Sequence, residues 1–172
     1  MRSGAELTYR AVAAEAGVQE RTVYRHFPSK TDLEVALWDW IARNLTHVDF
    51  SPRDIEELCA SIRQSFTGFD QGAPLIRAML HSEQGLDVRR GQQAARRQMF
   101  EAVVDASVPG LNSDRRRMAA AALQVLYSAT AWELLSDFYD MSGEEAAEVI
   151  EWAVRAVLTG IRVATSNERR RS

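Results

Sequence analysis

The seven residues from Glu20 to His26 place Glu20, Arg21, Thr22, Tyr24, Arg25 and His26 around a lone apolar Val23, with Phe27 four positions after it. Taken as a helix, the stretch turns Val23 and Phe27 inward against Val12, Ala16, Leu33 and Leu37. The polar residues are then left on faces able to enter a groove of double-stranded DNA. Their chemistry suits such a groove, since Arg can bridge guanine O6 and N7, and Thr or an aromatic ring can meet a thymine methyl. Tyr24 and His26 can equally donate to phosphate oxygens, which positions a protein without reading sequence. The whole chain carries a formal charge of −3. Between Val18 and Lys30, however, Arg21, Arg25 and Lys30 outweigh Glu20, so the basic balance is local.

Other chemistries find no support in the spacing. His26, His47 and His81 are scattered, and neither a metal-ligand pattern nor a glycine-rich phosphate loop occurs. The expectation is a protein that is not an enzyme and takes no metal and no cofactor. Cys59 is the only cysteine and lies on the apolar stripe Ile55, Leu58, Cys59, Ile62, Phe66, as a core thiol would. The opening MRSGAELTYR has no apolar signal region, and no run approaches the roughly 18 apolar residues of a membrane span. A cytoplasmic protein without a membrane partner is therefore expected.

Helical spacing dominates the elements that must position these residues, and strand-like alternation is absent, so the fold class is all-α. Thr8 caps a helix to Ala16, Gly17 supplies a turn, and a second helix runs to Phe27 before Pro28 stops it. Ser29 and Asp32 form a capping box for a long helix through Leu33, Leu37, Trp40, Ile41, Leu45 and Val48. Ser51-Pro52 opens another helix to about Phe66, residues 68–74 read as a loop, and Leu75, Ile76, Met79 and Leu80 mark a short helix. Three more helices are expected over 88–107, 113–139 and 143–165, the last opened by the capping box Ser142 to Glu145. The last two are apolar on more than one face and rich in small residues, the pattern of a dimer interface on a bundle or of deeply buried core helices. The residues assigned to a homodimer contact are Leu134, Val149, Trp152, Ala153, Ala156 and Gly160.

The segment LTYRAVAAEAGVQERTVYRHFPSKTDLEVAL, Leu7 to Leu37, resembles the DNA-binding domain of the TetR family of bacterial repressors. The run AGVQERTVYRHFPSK carries the likeness. The resemblance implies a helix-turn-helix DNA-binding domain over 1–47 and a bundle over 48–172 that binds an effector and dimerises. The protein would be a repressor released from a palindromic operator by a small molecule. It also implies groove or phosphate contacts from Arg10, Arg21, Thr22, Tyr24 and His26, with Lys30 on a phosphate. Candidate pocket walls are Phe66, Phe69, Met79, Phe100, Leu123, Tyr127 and Trp132. His81, Ser82 and Glu83 would form either a polar end to that pocket or a solvated turn.

Two positions depart from the pattern. Gln19 stands where the family has Ser or another good cap. Upstream of Leu7, Met1 to Glu6 replace a whole amphipathic helix, so the family's first helix is expected to be missing. The alternative that follows is a dimeric ligand-binding or interaction protein that has lost DNA binding with that helix.

Overall fold

The computed structural model describes residues 8–44 and 52–169, and the regular elements among them are helices. Expectations about Met1 to Leu7, Leu45, Val48, Ser51, the side chain of Ile41 and the boundary between 47 and 48 lie outside the described residues. Among the described residues, no helix is long and apolar enough to cross a membrane.

Three helices make an N-terminal head: α1 (Tyr9–Glu15), α2 (Glu20–His26) and α3 (Lys30–Asn44). Thr8 caps α1, its hydroxyl accepting from the Ala11 N–H at 3.1 Å. Gly17 turns the chain at φ +65°, a left-handed conformation in which a Cβ would be strained. The Ser29 and Asp32 box opens α3, the Asp32 N–H donating to Ser29 Oγ at 3.1 Å and the Ser29 N–H to Asp32 Oδ2 at 3.0 Å. Ala13, Val23 and Leu33 form the buried centre of the head, with Tyr9, Val12 and Phe27 packed on it. Ala16 is exposed instead of buried, and Leu37 packs on the larger core of the bundle. One turn of α3 thus leads from one core to the other.

The bundle comprises α4 (Ile55–Gln71), α5 (Ala73–Leu80), α6 (Glu83–Gly91), α7 (Gln93–Ser107), α8 (Ser113–Leu126), α9 (Ala129–Tyr139) and α10 (Gly143–Arg169). Its segmentation corrects the sequence reading at several places. Residues 68–71 are helical, because Gly68 and Phe69 face the core and that burial outweighs the roughly 1 kcal/mol a mid-helix glycine costs. Only Gly72 separates α4 from α5, and Pro74 sits in the first turn of α5, where a missing N–H is harmless. Asp54, accepting from the Glu57 N–H, is the cap of α4. The helix expected over 88–107 is two, parted at Gly91-Gln92, and α6 starts earlier under the cap of Ser82.

The helix expected over 113–139 is also two. Tyr127 leaves helical geometry at ψ 70° and Ser128 caps α9 by accepting from the Ala131 N–H. The break lets the Tyr127 ring enter the core.

The most extensive helix pairing is that of α10 with α4. Asp70 of α4 holds it, one carboxylate oxygen accepting from the Trp132 indole N–H at 2.9 Å and the other from the Gly143 N–H at 2.5 Å. A carboxylate at a helix N-terminus is favoured by the unpaired amides and the dipole there. The contact needs glycine: a Cβ on Gly143 would lie 2.2 Å from the Phe66 carbonyl oxygen. Gly143→Ala is expected to cost about 1–3 kcal/mol by forcing α10 off α4, read as a lower urea midpoint; an unchanged midpoint would show that this approach is not constrained.

Candidate nucleic-acid interface

The reading face is built from the α1 and α2 pair. Val23, the buried side chain of α2, fixes its rotation. At about 100° per residue, Arg21 and Arg25 then point away from the core, Tyr24 lies on one flank with Glu20, and Thr22 and His26 lie on the other. Arg10, Glu20, Arg21, Tyr24, Arg25, His26 and Lys30 are all exposed, and Thr22 is half-buried. Among the described residues, none forms an ion pair with Arg10, Arg21 or Arg25. Glu20 stands in the first turn of α2 and Arg25 and His26 in its last, each suited to the helix dipole. Gln19 makes no side-chain cap bond, so the departure at that position is a real loss to a seven-residue helix.

Sequence reasoning missed Tyr9. Its ring stacks on Tyr24 with centroids 3.8 Å apart and planes 13° from parallel, and its hydroxyl donates to the Phe27 carbonyl oxygen at 3.0 Å. The only signal was that a helix-turn-helix folds the first turn of its first helix against the second.

In the bundle, the seven pocket candidates come together in one buried cluster. Phe66 lies 5.8 Å from Phe69, Phe69 meets Trp132 edge-on at 5.6 Å, and Phe100 meets Tyr127 edge-on at 6.3 Å, ring centre to ring centre. Tyr127, itself a member of this aromatic collar, has its hydroxyl 2.6 Å from Ser65 Oγ and donates to the Ser61 carbonyl at 3.0 Å. Burial pushes the Tyr127 phenol up to about 12, against the opposing Ser65 hydrogen bond and Arg96 charge. Ser65 was not singled out from the sequence, because a serine on an apolar stripe carries no signal of its own. His81 and Ser82 form the turn between α5 and α6 and Glu83 begins α6: His81 is exposed with Nε2 2.9 Å from Glu133 Oε1, and Ser82 caps α6. A separate open groove of about 110 Å³ lies on the surface of α7 and α8, lined by Gln93, Arg97, Arg117, Ala120, Ala121 and Gln124.

The residues assigned to a dimer contact lie on the outer side of α9 and α10, except Val149, which packs partly on the bundle core. On α10 the side chains turned into the bundle are Ala146, Ala147, Ile150, Val154 and Leu158. Trp152, Ala156 and Gly160 are exposed and Val149 and Ala153 half-buried. Nothing lies within 4 Å of a Cβ built on Gly160. Leu134 is 50% exposed on α9, beside Phe138 at 79%, and Val163 at 54% continues the α10 row; the last two were not named from the sequence.

Comparison with known proteins gives two results. Residues 2–37 match the family model described as bacterial regulatory proteins, tetR family. The chain is also 28% identical over 160 residues, 84% of its own length and 81% of the relative's, to the nucleoid occlusion factor SlmA of Shewanella loihica.

Proposed function

We propose that the chain is a homodimeric repressor of the TetR family, whose model its residues 2–37 match. Its two heads would hold a palindromic operator and release it when a small molecule enters the bundle. The observation that carries the DNA reading is the cationic face of Arg21 and Arg25, without ion-pair partners among the described residues and directed outward by the burial of Val23. In this reading Arg21 and Arg25 meet base edges, with Glu20, Thr22 and His26 on the flanks of the groove. Arg10, Tyr24 and Lys30 position the helix on phosphates.

The test is titration of the full chain against DNA flanking its own gene. Lys30→Ala is expected to weaken all sequences alike and to flatten the salt dependence by about one phosphate contact. Arg21→Ala should relax preference at one base position by about 1–3 kcal/mol. Equal losses on specific and random DNA for both variants would contradict that division of labour. No binding to any duplex would leave the alternative of a dimeric ligand-binding protein. Preference for fragments remote from its own gene would favour a role like the nucleoid occlusion for which its relative is named.

The exposed row of Leu134, Phe138, Trp152, Ala156, Gly160 and Val163 supports the homodimer. Such a row on one chain meets its copy across a two-fold axis. Because Trp152 is 73% exposed, Trp152→Glu should leave the fold intact and shift the sedimenting species toward monomer. A dimer that persists unchanged would move the interface elsewhere.

The aromatic collar, with the buried Ser65 and Tyr127 hydroxyls beside it, is proposed as the effector site, for an apolar or amphipathic molecule bearing one hydrogen-bonding group. A ligand that favours a head spacing mismatched to the roughly 34–36 Å of one DNA turn lowers operator affinity. Linkage then requires the operator to lower ligand affinity by the same factor. Calorimetric titration in both orders should show a reciprocal shift of about 5- to 150-fold; ligand binding that leaves operator affinity untouched would sink the switch.

A further inference from the structure

We propose that Tyr9 is the positioning residue of the reading head: it aims the Tyr24 hydroxyl at the DNA by stacking on the Tyr24 ring and tying down the end of α2. The inference rests on the DNA-reading function proposed above.

Three observations converge on it. Tyr24 is 48% exposed on a flank of α2, and a Tyr side chain in such a place can adopt more than one staggered orientation. Tyr9 removes that freedom. With centroids 3.8 Å apart and planes nearly parallel, one face of the Tyr24 ring is covered. Second, α2 is a short helix without a side-chain cap at its start, so its position depends on what holds its other end. Phe27 leaves helical geometry there at ψ 84°, and its carbonyl oxygen accepts the Tyr9 hydroxyl at 3.0 Å. Third, Tyr9 belongs to the packing of the small core formed by Ala13, Val23 and Leu33. Its ring is thereby anchored on the core of the head. The two rings form one rigid platform in which the inner Tyr fixes the outer one, so less side-chain freedom remains to be lost when DNA binds.

The experiment uses a labelled duplex enriched from a random pool by the unaltered full chain, with affinity read by fluorescence anisotropy. Tyr9→Ala should weaken binding about 2- to 12-fold, the range of an aromatic pair, with the salt slope unchanged because no charge is removed. Tyr9→Leu, which keeps apolar cover over the head core but not the stack, should weaken binding to a similar extent while retaining helical circular dichroism. Tyr9→Phe, which keeps the stack, should recover most of the affinity. In the Tyr24→Phe background, which keeps the ring but lacks the hydroxyl, Tyr9→Leu should cost clearly less, only what the lost tie to Phe27 takes. A merely structural Tyr9 would cost as much in either background, and that result overturns the inference while leaving DNA binding in place. Tyr9→Leu binding as tightly as the unaltered chain overturns it too. If the unaltered chain enriches no duplex at all, the DNA-reading function falls, and the inference with it.

Discussion

One turn of α3 holds the two halves of the molecule in register. Leu33 belongs to the core of the head and Leu37 to the core of the bundle, four residues apart on the same helix. Among the described residues the head core is small, three buried side chains with three more packed on it, and a cluster of that size gains from attachment to a larger core. Its order is borrowed from the bundle through α3, against which α6 also packs. The rotation of α2, and with it the direction of Arg21 and Arg25, follows from how Val23 seats on Leu33. In the proposed switch, a change in the bundle reaches the reading face by moving α3 as a rigid rod.

Inside the bundle a second constraint is polar. The buried Tyr127 hydroxyl needs partners in a low-dielectric interior, and Ser65 with the Ser61 carbonyl supplies them. Meeting that demand breaks the helical run at Tyr127, and Arg96, donating to the Tyr127 carbonyl at 3.1 Å, satisfies one of the groups the break leaves open. Asp70 plays the matching part where α10 begins, answering an indole N–H and a helix-terminal amide with one carboxylate. These links hold α4, α8, α9 and α10 together, so the aromatic collar has a fixed frame.

What the sequence made legible follows from which signals are local. The caps at Thr8, Ser29 and Ser142 and the glycine turn at Gly17 depend on residues within a few positions of one another. Each stands as read. The outward face of α2 was legible too, because the burial of Val23 alone decides it. The breaks at Gly91-Gln92 and Tyr127-Ser128 were not, since helical periodicity carries across both and the second is decided by a serine 62 positions away. Residues 68–71 were misread for the opposite reason. Glycine composition suggests a loop, whereas Phe69 and Asp70 have tertiary partners that reward a helix. Tyr9 escaped notice because an aromatic residue in a first turn has no meaning until the turn of the chain brings Tyr24 against it.

Glu34 shows what the junction tolerates. It follows Leu33 on α3, is only 3% exposed, and its Oε2 has no hydrogen-bond partner among the described residues. Burial raises its carboxyl above the ordinary range, with the Lys30 charge opposing. A carboxyl whose folded pKa is raised binds more protons folded than unfolded. It therefore weakens the fold as pH climbs from the unfolded value through the folded one, and above both the cost is complete. The charged form of this carboxyl thus works against the fold, on the helix that joins the two cores. Elements that move in a switch come from the less stable parts of a fold. A buried carboxyl without a full set of partners, beside the turn linking head and bundle, is a local cost of that kind on α3, whereas Asp70 and Tyr127 have theirs.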